Sequence, residues 1–336
     1  MPEFKLDTQI AAQAASIHRL LTQHDLPRLD AERPLILAGI GTSWHACRVA
    51  AYWLIALSHG QIRPLVYNSH DLALNAPLSK QDQVIVVSHR GSKTFPRQVL
   101  QRARQIGATT IAITSSDAPA QDADYHLHTC PGEISSTHTI SYTSALTVLA
   151  QLVAGCIGKQ ASQPFLDALQ EIPTALDAIL EHPAPVQIAE QLANREPILL
   201  AGVGIDAITA AEAALKIKEG TYQWAEGFET ENALHGPPAA FRTGLGAITI
   251  TPARDDGGRT ASLRTQLHAL GAVAFSCGSD NEDLWFPAVH PLLRPLVAIV
   301  PLQRLVAEIA RIKGSNPDAI HTDQEPWTSA MANVTL

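Results

Sequence analysis

The chain has 336 residues, 46% of them hydrophobic, which is enough apolar material for two cores of ordinary domain size. A formal charge of -8, with no basic run and no zinc-finger spacing, argues against a nucleic-acid partner and leaves a small molecule or a second copy of the chain. Cys47, Cys130, Cys156 and Cys277 form no C-x-x-C pair, no secretory signal is read at MPEFKLDTQI, and no apolar run is read that approaches about 18 residues free of charge. These features predict a soluble cytoplasmic protein with reduced thiols and no membrane partner. The 14 histidines show no H-E-x-x-H or comparable spacing, so neither a metal nor another cofactor is expected.

In chain order, Asp7 to Gln23 carries Ile10, Ala14, Ile17 and Leu20 or Leu21 at helical spacing and predicts a leading helix. PLILAGIGTSWHACRVAAYWL, from Pro34, reads as a short strand ending at Gly39 and Gly41, with a helix from near Ser43. VIVVS from Val84 and TTIAIT from Thr109 are further strands. EIPTALDAILEHPAPVQ, with Pro173, Pro183 and Pro185 around a short amphipathic helix, reads as a linker. The first unit then returns as PILLAGVGIDAITAAEAALKI from Pro197, at an offset of about 163 residues. GATTIAITSSD from Gly107 and GAVAFSCGSD from Gly271 match at nearly the same offset, and AITIT from Ala247 supplies another strand. One αβα domain therefore occurs twice. The predicted fold class is α/β: two tandem αβα domains, each a parallel sheet flanked by helices, because near-continuous apolar strands are buried on both faces. The expected divisions are 1–30 for the leading helix, 31–160 and 191–325 for the domains, 161–190 for the linker and 326–336 for a tail.

In parallel sheets ligands bind beyond the carboxyl ends of the strands, where Gly41-Thr42-Ser43, Ser88 to Thr94 and Gly204 fall. Gly41-Thr42-Ser43 has two readings, a plain helix cap or an anion cradle of backbone N–H groups and hydroxyls. The loop Ser88-His89-Arg90-Gly91-Ser92-Lys93-Thr94 favours the cradle, since it puts three hydroxyls and two cations into seven residues. The first turn lacks the third glycine of a dinucleotide fingerprint, and no acidic residue closes a second strand. From Ala210 to Gly220 the residues form helices well, and Glu212, Lys216 and Glu219 share one face. They are either a solvated surface pair or a functional cluster. His235 precedes Gly236-Pro237-Pro238 in a rigid turn, as an ordinary loop histidine or a proton relay.

GTSWHACRVAAYWL at Gly41, VVSHRGSKT at Val86, EISSTHTISYTSALTVLAQL at Glu133, EAALKIKEGTYQWAEGFETENALHGPPAA at Glu212 and PLVAIVPLQRLVAEIARIKG at Pro295 carry a resemblance. With these pieces in order over nearly its whole length, the chain resembles the sugar isomerase (SIS) domain family, in particular the isomerase half of glucosamine-6-phosphate synthases. The resemblance implies that Glu219 shuttles a proton between C1 and C2 of an open-chain sugar, that Lys216 and Glu212 shape its charge and hold substrate, and that His235 opens the sugar ring. In the family that histidine reaches the neighbouring subunit's site, which implies a homodimer. Thr42, Ser43, Ser88 and the turn after it would hold a phosphorylated sugar, with Ser136, Thr137 and His138 lining the site.

Three departures qualify these expectations. The chain opens MPEF where a synthase has a cysteine nucleophile, so glutamine is not expected as the ammonia donor within it. Ala332 stands where the family tail carries a Schiff-base lysine, so that imine is not expected. Arg90 replaces the second serine of the family's phosphate loop and either pairs with phosphate or fills its pocket, while Ser136, Thr137 and His138 replace small residues. The reading that follows is an amino-sugar-phosphate isomerase or deaminase. The alternatives are a fructosamine-phosphate deglycase and a non-catalytic phosphosugar sensor.

Overall fold

A computed structural model of the chain describes residues 3–22 and 26–334. Gln23, the expected end of the leading helix, lies outside the described residues. The start of the chain forms two helices, α1 (Lys5–Ala11) and α2 (Gln13–Leu21), broken at Ala12. The stripe Ile10, Ala14, Ile17, Leu20 and Leu21 is buried along them.

The chain divides into two compact units that interleave in sequence. One comprises Ala15–Glu133, Ile140–Gln170 and Pro326–Leu336, the other Met1–Ala14, Ile134–Thr139 and Glu171–Glu325. The first runs β1 (Leu35–Gly39), α3 (Thr42–Leu57), β2 (Leu65–Asn68), α4 (Ser69–Leu74), β3 (Gln83–Val87), α5 (Thr94–Gln105), β4 (Thr109–Thr114), β5 (Tyr125–His128), α6 (Ile140–Ile157) and α7 (Lys159–Gln170). Its strands are all parallel, in the order β2-β1-β3-β4-β5. Every residue of β1 and β3 is buried, as expected of central strands covered on both faces.

The sequence ISYTSALTVLAQLVAGCI of α6 corrects one expectation. It is an uncharged helix of 18 residues with mean hydropathy 1.6, long and apolar enough to cross a membrane. In the fold 83% of it is buried against protein, and it packs on α3. Its threonines hide the run from a reading for pure apolar stretches. Thr143 and Thr147 donate to the helix's own carbonyls of Ile140 and Thr143, which removes the cost of burying the hydroxyls.

The other unit runs α8 (Ile172–Glu181), α9 (Val186–Leu192), β6 (Ile198–Gly202), α10 (Ile205–Thr221), β7 (Ala225–Glu229), α11 (Thr230–Leu234), β8 (Gly246–Ile250), α12 (Arg259–Ala269), β9 (Val273–Gly278), β10 (Leu284–Trp285) and α13 (Arg294–Lys313). A last helix, α14 (Trp327–Ala332), holds the exposed Ala332. The second sheet is also parallel, ordered β7-β6-β8-β9-β10, so β6 to β10 repeat the order of β1 to β5. Helices α10, α12 and α13 follow β6, β8 and β10 as α3, α5 and α6 follow β1, β3 and β5. The linker prolines are housed as their chemistry requires, with Pro173 in the first turn of α8. Beyond it, Arg304 of α13 donates to the carbonyls of Ile179 (2.5 Å) and His182 (2.7 Å).

Candidate functional site

Both central strands end in the same glycine turn. Gly41 has φ 56° and ψ -125°, and Gly204 has 59° and -119°, the left-handed half of the map that side chains avoid. A Cβ on Gly39 would sit 2.5 Å from the Ser43 carbonyl carbon, and one on Gly202 2.6 Å from that of Asp206. Only glycine lets the strand end lie this close to the helix that leaves it. The two turns differ in the residue they deliver at the second position of the helix, Ser43 in one and Asp206 in the other.

In the first unit the cradle is open. The Ser43 and Ser88 hydroxyls make no hydrogen bond to the described protein, and Gly91 N–H closes a tight turn onto the Ser88 carbonyl at 2.9 Å. Gly91 is left-handed, and Gln121 holds its carbonyl. Arg90 and Ser92 are exposed and Lys93 is half-buried at the cap of α5. Neither the Arg90 guanidinium nor the Lys93 ammonium makes an ion pair or hydrogen bond among the described residues. Burial, and then the neighbouring Arg90, push the Lys93 ammonium below its usual range. An anion set between these cations would relieve that repulsion. Thr94 begins α5, and Thr42 begins α3.

His89 has a different part. Its Nε2 accepts the Glu133 N–H at 3.0 Å, and its own carbonyl accepts the Ser115 N–H at 2.8 Å. Burial is the main cause that lowers its pKa to about 4, so the ring is neutral near pH 7 and carries its proton on Nδ1. Glu133, which sequence reasoning did not single out, is a buried carboxylate accepting the first N–H groups of α6, from Ile140 (3.2 Å) and Ser141 (3.1 Å). An acidic residue shortly before a hydroxyl-rich helix start is the signal that could have found it.

In the second unit the equivalent cradle is closed. The buried Asp206 carboxylate receives Arg294 Nε at 3.1 and 3.0 Å and Nη2 at 2.9 Å. That guanidinium also donates to the Thr251 carbonyl at 2.6 Å and lies over Phe286. Burial raises the Asp206 pKa, and Arg294 opposes that shift.

The second unit holds a buried charge cluster instead, on α10. Lys216 is 1% exposed, its Nζ 2.5 Å from Glu219 Oε2 and 3.5 Å from Glu212 Oε1. Glu212 is 0% exposed and Glu219 23%. This excludes a solvated surface pair, which would not sit in the core. Of the three, Glu219 reaches solvent most. At the same offset in α3 stand Val49, Trp53 and Ala56, with Val49 and Trp53 fully buried.

His235, 74% exposed, is not hydrogen-bonded to this cluster. It ends α11, and its Nε2 pairs with Glu231 Oε1 at 2.9 Å. Arg259 holds the other oxygen of Glu231 at 2.9 Å. Of the hydroxyl segment, Thr137 is fully buried and donates to the Pro317 carbonyl at 2.8 Å, which makes it framework. The Ser136 N–H goes to the Asp318 carbonyl at 3.3 Å, and His138 is half-buried.

The SIS domain family model matches residues 29–155. The isomerizing glutamine-fructose-6-phosphate aminotransferase of Thermococcus kodakarensis is 29% identical over 304 residues, 84% of this chain and 50% of that protein. Its counterpart in Pyrococcus horikoshii is 28% identical over 322 residues, 91% and 52% of the two chains. The chain thus spans about half the length of the curated relatives it matches. Among solved structures, the C-terminal domain of glucosamine-fructose-6-phosphate aminotransferase from Francisella tularensis superposes with a TM-score of 0.81 at 22% identity, covering 94% of this chain and 98% of that one. Glucosamine-6-phosphate deaminase from Thermotoga maritima gives 0.76 at 19%, covering 94% and 97%. These structural likenesses speak for the fold. Residues 29–155 thus match the SIS domain family model, and because the second sheet repeats the strand order of the first, the chain is built as two tandem copies of one α/β fold.

Proposed function

We propose that the chain is an aldose-ketose isomerase or deaminase of an amino-sugar phosphate, of the glucosamine 6-phosphate and fructose 6-phosphate type. The loop Ser88 to Thr94, with Thr42 and Ser43, holds the phosphosugar through its hydroxyls and the two free cations. Glu219 carries a proton between C2 and C1 of the open-chain sugar, Lys216 and Glu212 set its charge and position, and His235 opens the ring. In the deaminase direction the proton leaves C2 and returns to C1. Water then replaces the resulting imine nitrogen, yielding fructose 6-phosphate and ammonia. Transfer next to a carbonyl needs a carboxylate held rigidly with one oxygen free to reach carbon. We further propose a cytoplasmic homodimer in which His235 serves the neighbouring copy, consistent with its exposure.

The observation that carries this reading is the cluster on α10. Burying three charged groups is costly, and α3 shows that the same helix positions can be filled with Val49, Trp53 and Ala56. That contrast supports a chemical rather than a folding role for the charges. The test is to incubate the protein with glucosamine 6-phosphate and measure ammonia and fructose 6-phosphate, with Glu219→Gln as the control. Turnover that Glu219→Gln lowers by about 10² or more supports the reading. Tight phosphosugar binding without turnover of any hexosamine or fructosamine phosphate would instead identify a sensor, the reading favoured by the uncompensated Arg90 and Lys93 taken alone. Turnover confined to fructosamine phosphates would identify a deglycase.

A further inference from the structure

We propose that Glu231 is a positioning residue for ring opening: held by Arg259, it fixes the tautomer and orientation of His235 so that Nδ1 is the atom that exchanges protons with the sugar. The inference rests on the reading of His235 given above.

Three elements deliver the arrangement. The Glu229 side chain accepts the N–H groups of Glu231 and Asn232 and so starts α11. One turn later the helix ends at His235, so Glu231 and His235 lie on one face and meet at 2.9 Å. Arg259 comes from a different element. Gly257 and Gly258 are both left-handed, and Asp255 and Asp256 accept their N–H groups at 2.9 and 3.0 Å. Asp256 also accepts the Thr260 N–H at 2.7 Å. This turn sets the start of α12 so that Arg259 Nε reaches Glu231 Oε2 at 2.9 Å.

The chemistry follows from the hydrogen bond. A carboxylate only accepts, so the ring nitrogen facing Glu231 carries the proton, and in the neutral ring Nδ1 is left as the acceptor. No described group pairs with Nδ1. Ring opening of the hemiacetal moves the O1 proton to Nδ1 as C1=O forms and the C1–O5 bond breaks. The imidazolium then returns that proton to O5, and nothing is consumed. Glu231 stabilises the imidazolium between the two transfers, as the acidic partner does in other carboxylate-histidine pairs. An isolated exposed ion pair contributes little, but a carboxylate held from two elements loses less entropy when it orients the ring.

The experiment compares two substrates in Glu231→Ala, Arg259→Gln and His235→Ala. One is glucosamine 6-phosphate. The other is its 4,5-dideoxy analogue, which has no hydroxyl positioned to close a ring. Glu231→Ala is expected to lower kcat/KM on the cyclic substrate by about 10- to 100-fold and to leave the acyclic analogue within about twofold. His235→Ala should show the same selectivity, Arg259→Gln a weaker form of it, and the double variant of Glu231 and His235 no more than His235→Ala alone. Equal losses on both substrates, or no loss on either, would overturn the proposal. A wild type that turns over neither substrate removes the reaction reading instead. Nitrogen-15 spectra of histidine-labelled protein then judge the positioning role alone. His235 should be the Nε2–H tautomer in the wild type and mixed in Glu231→Ala, and a wild-type ring already mixed sinks the idea.

Discussion

Replacing Lys216 by methionine keeps the volume of the side chain and removes its charge from a place water does not reach. Its two carboxylate neighbours differ. Glu219 is 23% exposed and can turn toward solvent, whereas Glu212 is 0% exposed, 3.5 Å from the ammonium, and cannot. The cost is therefore set by Glu212, and breaking a buried pair from one side costs about 3–5 kcal/mol. Removing both charges should behave oppositely. Glu212→Leu with Lys216→Met removes the buried pair as a unit, and such exchanges are often neutral or stabilising by about 1–4 kcal/mol. Urea unfolding, followed by circular dichroism and fluorescence, gives the midpoints. The single variant should unfold well below the wild type and the double variant near it. Activity should be lost in both, because the group beside Glu219 is gone, and that separates a catalytic effect from a folding one. A Lys216→Met midpoint within about 1 kcal/mol of the wild type would refute the reasoning, since the cluster would then tolerate the loss of its buried cation.

The closed cradle of the second unit should respond in the same currency. Asp206→Ala leaves the buried Arg294 guanidinium, over Phe286, without its carboxylate and is expected to cost about 3–5 kcal/mol in the same unfolding assay. Gly39→Ala puts a Cβ 2.5 Å from helix backbone that cannot yield, so soluble yield and anion binding by calorimetry should both fall. Gly155→Ala, inside α6 with nothing within 4 Å, should instead stabilise by about 0.4–1 kcal/mol. For pH, the folded His89 titrates near 4, below the ordinary 6.5 that the unfolded chain keeps. The unfolded chain therefore binds the extra proton first, and this contribution to stability is full above about 6.5 and lost as pH falls toward 4, by about 3 kcal/mol at the limit. The acid slope of the urea midpoint should flatten in His89→Gln, and an unchanged slope would count against it.

How much of this was legible in the sequence depends on the length of the contacts. Strands β3, β4, β8 and β9 announce themselves as buried apolar runs, and β1 and β6 by the repeated Ala-Gly entry into a helix. The edge strands β2, β5, β7 and β10 do not. LVYN and YHLH are four residues with exposed ends, LW is two, and AEGFE is polar on the face it shows, so no period is long enough to read. The loop at Ser88 was legible because its chemistry is local. The spacing of Glu212, Lys216 and Glu219 was legible too, but their burial was not, since the same spacing serves a solvated helix. Asp206 and Arg294 are 88 residues apart, and Glu231 and Arg259 lie on separate helices. Such pairs are made by topology, and nothing near either partner declares them.

The two buried ion sets of the second unit look alike in cost and differ in purpose. At Asp206 the carboxylate is chelated by one guanidinium, that guanidinium is spent again on the Thr251 carbonyl, and both side chains are buried. Charges closed on each other in this way cannot act on a third molecule, so the pair serves as a seal over a turn whose sister in the first unit is open at Ser43. The cluster on α10 is graded instead, from Glu212 and Lys216 at the core to Glu219 toward solvent. A lysine fixed from below by one carboxylate and touching a second at the edge holds that outer group in place while leaving it access. Each unit has a glycine turn and a following helix, and the sealed turn goes with the charged helix in one unit while the open turn goes with the apolar helix in the other.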